Sequence, residues 1–280
     1  MRLINSLLSF AQAPWTVLWK NRTLLFQLCQ RDINARYKGA SLGLAWSILL
    51  PLMMLAIYAF VFGEIFKSRW GNLPAPQTWS ERLSFALILY AGLIVFNWFA
   101  ECLSKSPTMI LNNANFVKRV VFPLDILPVI PVVIGAFHFS MSFVVLMVFT
   151  VLSPMAFSFY WLMVPMLLIP FVLCLIGIAW FLASLGVYFR DMEQVMPVLT
   201  SALMFLSPVF YSIEVLPAFF RRWLMANPLT FIIEALRNLL FWQTLPNKIE
   251  IALLYLMAVI VFYLGFLSFK TLRKGFADVL

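Results

Sequence analysis

The chain has 280 residues, of which 64% are hydrophobic and 11% charged, and its formal net charge is +9. Average soluble chains carry roughly 45–50% apolar and about 25% charged residues. A mean hydropathy of +0.96 leaves more apolar surface than a soluble domain of this size can bury, which excludes a soluble enzyme and a disordered chain. In such a chain the basic excess marks cytoplasmic loops and lipid headgroups, and no nucleic acid partner is expected. Cys29, Cys102 and Cys174 are scattered, and His138 is the single histidine, so neither a disulfide framework nor a metal site is expected.

In chain order, Leu3 to Phe10 followed by Ala11-Gln12-Ala13 is similar to a secretory signal. Asn5, Ser6 and Ser9 break its apolar core, and Pro14 would follow the cut. A short interfacial segment is the preferred reading. Residues 15–38 read as an amphipathic helix in the inner headgroup plane. Leu25, Cys29, Ile33 and Tyr37 recur at i+4, opposite Gln27, Arg31, Asn34 and Lys38.

Uncharged runs then define the spans. Residues 126–189 hold no charge over about 96 Å of helix, so they cross twice, with a break at Ser153-Pro154. The expected crossings are six: 42–63, 83–101, 127–152, 161–189, 195–212 and 250–269. A polar island at 104–125 separates the second and third, with a short helix expected over 108–121. A charged turn at 190–194 separates the fourth and fifth. Residues 213–242 carry Arg221, Arg222, Glu234 and Arg237 and break at Asn227-Pro228. Two short re-entrant helices on the outer face fit this stretch. The fold class is thus an all-α polytopic membrane protein.

An even count puts both termini on one side. With both cytoplasmic, thirteen of the twenty Lys and Arg fall inside, in keeping with the positive-inside rule. No carboxylate lies near the centre of an expected span, so an ion gradient is not the expected energy source. No GxxxxGK[ST] phosphate loop is present either. A pump of this kind needs a separate ATPase, and 104–125 and 190–194 are its docking candidates. His138 has no acidic partner in the sequence at its depth and reads as a neutral packing or helix-bridging residue.

Aromatics are abundant, with 29 Phe, 10 Trp and 8 Tyr. Tyr37, Trp46, Tyr58, Phe62, Phe205, Phe210 and Tyr211 fall where they would line a path, and flat rings pack against the C–H faces of sugars. Lipid or helix packing is the alternative for each. No HExxH, GxSxG or paired intramembrane carboxylate supports an enzyme. An ion-coupled carrier and a membrane enzyme of glycan assembly are the rival classes.

Several motifs carry a resemblance. Arg31-Asp32-Ile33-Asn34-Ala35-Arg36-Tyr37-Lys38-Gly39 is followed by Ser41-Leu42-Gly43, Trp46 and Pro51-Leu52. Asn115-Phe116-Val117-Lys118-Arg119 runs into Phe122-Pro123 and Leu127-Pro128. Arg190-Asp191, Ser207-Pro208-Val209-Phe210-Tyr211, Asn227-Pro228-Leu229 and Glu234-Ala235-Leu236-Arg237 follow in order. Together these resemble ABC-2 type permeases of the polysaccharide and polyol-phosphate export branch, most of all O-antigen exporter membrane subunits.

The resemblance implies a half-transporter in the inner (plasma) membrane. Two copies pair over two ABC ATPase subunits, which bind the ATP and Mg; this chain holds no cofactor. The substrate is a polysaccharide on a polyprenyl diphosphate lipid, with capsule and teichoic acid exporters as close alternatives. Asn115, Lys118, Arg119, Arg190, Asp191 and Glu193 would couple to the ATPase. Arg31, Arg36 and Lys38 on the inner side, and Arg221 and Arg222 on the outer, are the candidate diphosphate contacts.

Overall fold

The computed structural model describes residues 14–66, 70–71, 78–117, 122–153, 159–225 and 227–279. All regular structure among them is helical. After a helical stretch at 14–20, α1 covers Arg22–Tyr37. α2, Trp46–Phe60, is entered through a 3-10 turn and continued by a wider turn at Val61–Ile65. α3 runs from Trp79 to Lys105, α4 covers Ile130–Leu152, α5 Val164–Tyr188 and α6 Met192–Phe205. Two short helices follow, α7 at Ala218–Met225 and α8 at Pro228–Arg237, before α9 at Lys248–Leu272.

Local chemistry explains the starts. Thr78 accepts from the Glu81 amide and Glu81 reaches back, closing a capping box on α3. Asn227 and Asn247 accept from the amides two residues on, capping α8 and α9. Pro228 then occupies the first turn of α8, where its missing N–H costs nothing.

Among the described residues, five helices are long and apolar enough to cross a membrane: Gly43–Ile65, Trp79–Thr108, Leu124–Leu152, Phe159–Tyr188 and Lys248–Val279. The expected crossing at 195–212 differs. Its helix ends at Phe205 after 14 residues, about 21 Å against a hydrocarbon core of about 30 Å. Pro208 disfavours helix at Ser207, so an uncharged run became a helix plus turns. α7 and α8 bend by 99°, and counting that bent pair as one span makes six. The helix expected over 108–121 is also interrupted. Separate turns stand at Ser106–Thr108, Leu111–Asn113 and Ala114–Val117. The Asn113 amide donates to the Met109 carbonyl, competing locally with the backbone ladder.

α3 is the central element. Every residue from Phe85 to Phe96 is buried, with α2, α4 and α8 packed around it. α5 pairs with α9 through glycines. A Cβ on Gly265 would strike the Gly177 carbonyl, and one on Gly177 would strike that of Val261. Small residues let two backbones approach where no water drives them together. α1 lies along this core by the stripe read from its sequence: Cys29 and Tyr37 are buried, Ile33 is partly buried and Leu25 packs against the core, and Leu28 beside the stripe is buried too.

One buried cation ties α8 in place. Arg237 is 0% exposed. It donates to the carbonyls of Ile88, Pro208 and Val209, pairs with Glu234 at 2.8 Å and lies 4.4 Å over the Trp70 ring. A Cβ on Gly92 would occupy the guanidinium's place. Arg237→Met leaves Glu234 and three carbonyls without their donor. We expect a loss of about 3–5 kcal/mol, read as a large fall in the thermal unfolding midpoint of the purified protein.

Candidate functional site

Two regions of the molecule carry its polar chemistry. At one end, the turn after α3 meets the C-terminal end of α5, where Gly186 sits against the Pro107 carbonyl. The start of α6 touches the same turn. The Tyr188 hydroxyl donates to the Leu272 carbonyl at 2.7 Å, and Arg273 pairs with Asp125 at 2.8 Å. The Phe116 and Phe122 rings stack 4.3 Å apart across the island. The two segments expected to dock an ATPase thus lie side by side. Asn115, Arg190, Asp191 and Glu193 are all exposed there. Lys118 and Arg119 lie outside the described residues.

The second region lies just inside that end, between α1, α2, α3 and α4. A cavity of about 360 Å³ opens there, bordered by Arg36, Tyr37, Trp46 and Tyr58. At its mouth Arg36 donates to Glu101 Oε1 at 2.8 Å, while His138 Nδ1 stands 2.7 Å from Oε2. An ionised carboxylate only accepts, so Nδ1 carries the proton between them. In the neutral ring Nε2 then accepts from the Tyr37 hydroxyl, 3.3 Å away. The expectation that His138 lacks an acidic partner is therefore corrected. Glu101 is that partner, one turn inside the end of α3. The sequence places the two 37 residues apart, and only the α3–α4 contact joins them.

The cluster also anchors α1. Arg36 and Tyr37 close its last turn onto α3 and α4. Burial, with the Glu101 charge adding to it, raises the Tyr37 hydroxyl above the usual tyrosine range, against the pull of Arg36. Further back on α1, burial pushes the Cys29 thiol up to about 12.

The remaining predicted residues separate. Arg31 pairs with Asp32 at 2.9 Å, and Arg31 and Lys38 line a separate groove of about 520 Å³ that Arg36 does not border. Phe62 stacks on Phe210 at 5.8 Å and touches Phe85, in a cluster with Trp70. The Tyr211 hydroxyl donates to the carbonyl of Phe205, whose own ring is exposed. Arg221 donates to the Glu214 carbonyl at 2.7 Å. Of Arg222 only its place in α7 is described. Sequence reasoning missed Tyr90, Asn97 and Glu101. Their spacing of seven and four residues puts them on one stripe of α3, a signal present in the sequence.

The sequence also matches known proteins. The model of the ABC-2 type transporter family matches residues 23–241. The chain belongs to that family. It is a multi-pass membrane protein. An O-antigen export system permease protein RfbA of Klebsiella pneumoniae is 28% identical over 92% of this chain and 95% of its own length. The RfbA of Myxococcus xanthus is 23% identical over 93% and 96%. The polysialic acid transport protein KpsM of Escherichia coli is 24% identical over 88% and 92%.

A thiol held neutral reacts slowly, so Cys29 should resist maleimide at pH 7 to 8. Glu101→Gln leaves Arg36 and His138 without their shared anion and loosens the end of α1. Faster Cys29 labelling in that variant, followed by mass spectrometry, is the expected outcome. Unchanged labelling would mean that apolar contacts alone hold the helix.

Proposed function

We propose that this chain is the permease subunit of an ATP-driven exporter that moves a lipid-linked polysaccharide of the O-antigen type out of the cytoplasmic leaflet of the inner membrane. The observation that carries this reading is the match to O-antigen export permeases over nearly the whole of both chains. Capsular polysaccharide export is the second reading, favoured by the likeness to the polysialic acid transport protein.

In this reading the chain hydrolyses nothing. Two copies form a channel between them, and two separate ABC ATPase subunits supply the work. Six crossings then place both termini in the cytoplasm, with α6 and the turns up to 212 as the fifth crossing and α7–α8 as a re-entrant pair. The adjoining segments 104–125 and 190–194 receive the ATPase. Rigid contacts such as that of Gly186 on the Pro107 turn pass its closure into α3 and α5. The groove at Arg31 and Lys38 takes the lipid diphosphate, since Lys38 makes no ion pair among the described residues and exposed cations pair readily with phosphate oxygens. Arg36 is spoken for by Glu101 and serves as an anchor. Arg221 and Arg222 receive the diphosphate on the outer side. The path itself is lined by exposed aromatics such as Phe205.

Co-purification tests the core of the reading. An ATPase subunit at a ratio of two to two should accompany the protein from native membranes. A lone protein, under conditions that keep other membrane complexes intact, would favour an ion-coupled carrier or a glycan-assembly enzyme. Charge reversal at Arg190 and Glu193 should loosen the complex or separate ATP hydrolysis from export. Normal coupling in that double variant would move the docking surface elsewhere.

A further inference from the structure

The cavity behind Glu101 carries more chemistry than an anchor needs. Its volume of about 360 Å³ falls within the roughly 300–1,000 Å³ of small-molecule sites. α2 supplies the rings of Trp46 and Tyr58. α3 supplies Tyr90, Asn97 and Glu101 from one stripe, and α4 supplies His138 and Ser142, one turn apart.

Three observations bear on what it holds. First, Asn97 is exposed, about 12 Å inside the Lys105 end of an apolar helix, and its amide makes no hydrogen bond among the described residues. An amide facing lipid is costly, so a polar occupant is the natural partner. Second, Tyr90 is 2% exposed and its hydroxyl has no partner within bonding geometry, although Ser142 stands beside it. Tyr90 and Asn97 thus set two polar groups on one wall, and the Asn97 amide has no partner among the described residues. Third, the charges are already matched. Glu101 takes both Arg36 and His138, so the lining offers no spare cation to a phosphate. It offers a carboxylate edge, an amide, hydroxyls and flat aromatic faces. Amides and carboxylates hold adjacent hydroxyls, and aromatic rings cover the C–H face of a saturated ring.

We propose that this cavity is a binding site, within each subunit, for one neutral sugar ring. It rests on the polysaccharide-export reading and adds to it a place where a sugar is recognised apart from the path between copies. The site would favour sugars whose adjacent hydroxyls reach Asn97 and Glu101 while one ring face lies on Trp46 or Tyr58.

Saturation-transfer NMR on the full-length protein in nanodiscs tests this. The probes are free glucose, galactose, mannose, rhamnose and N-acetylglucosamine, with inorganic phosphate as competitor. At least one sugar should receive saturation, with affinity on the order of 1 mM. The signal should fall at least fivefold in Asn97→Leu, survive in Lys248→Ala at the far end of α9, and resist phosphate. Asn97→Leu removes an unpaired amide from an apolar helix, so its unfolding midpoint should not drop. Should that variant fail to fold, the nearly isosteric Tyr90→Phe carries the test, with a loss of at least twofold. No transfer from any sugar, equal transfer in the variants, or displacement by phosphate each overturns the proposal. Its failure leaves ATPase co-purification intact, whereas loss of the ATPase with sugar binding retained overturns the export reading alone.

Discussion

A guanidinium with no access to solvent holds the end of the molecule around α8 together. Arg237 joins three pieces of chain that are far apart in sequence: α8, the middle of α3 and the turn at 208–209. Helix α3 offers a carbonyl, Gly92 leaves room for the side chain, and Trp70 covers it. A charge in so apolar a place is expensive unless its donors are used. Here the carbonyls of Ile88, Pro208 and Val209 and the Glu234 carboxylate take four of its five N–H groups. The bent helix pair can therefore sit beside α3 without leaving irregular backbone open to lipid.

The end around Glu101 follows a different arrangement. Glu101 gathers Arg36 and His138, and through His138 it reaches Tyr37. Arg36 is 54% exposed while Glu101 and His138 are mostly buried, and an ion pair to so open a cation contributes little to stability. Its importance is in geometry. It sets the angle at which α1 meets α3 and α4, and so sets the mouth of the cavity. It also separates Arg36 from Arg31 and Lys38, which share the helix but face another groove. Three cations that read as one patch in sequence thus have two distinct environments.

Between these ends the packing is apolar and close. The α5–α9 pair depends on Gly177 and Gly265, and the contact of α5 with the turn after α3 depends on Gly186 against the Pro107 carbonyl. At these points backbone meets backbone with no side chain between. In the proposed export reading, motion imposed on the turn after α3 would reach α5 through this contact.

Much of this was legible in the sequence. Hydropathy located the long helices, because each needs about twenty apolar residues to cross lipid. The i+4 stripe of α1 and the break at Asn227-Pro228 were readable from local rules, and both segments fold accordingly. The run at 195–212 shows the limit of such rules, since an uncharged stretch says nothing about where a helix ends in it. What only the tertiary structure decided is the pairing of distant polar groups. Glu101 and His138 are 37 residues apart, and Arg237 and Ile88 are 149 apart. Apolar periodicity records which residues avoid water, a property of each residue alone. Which carboxylate meets which cation depends on how the helices cross, and that is set by packing over the whole chain.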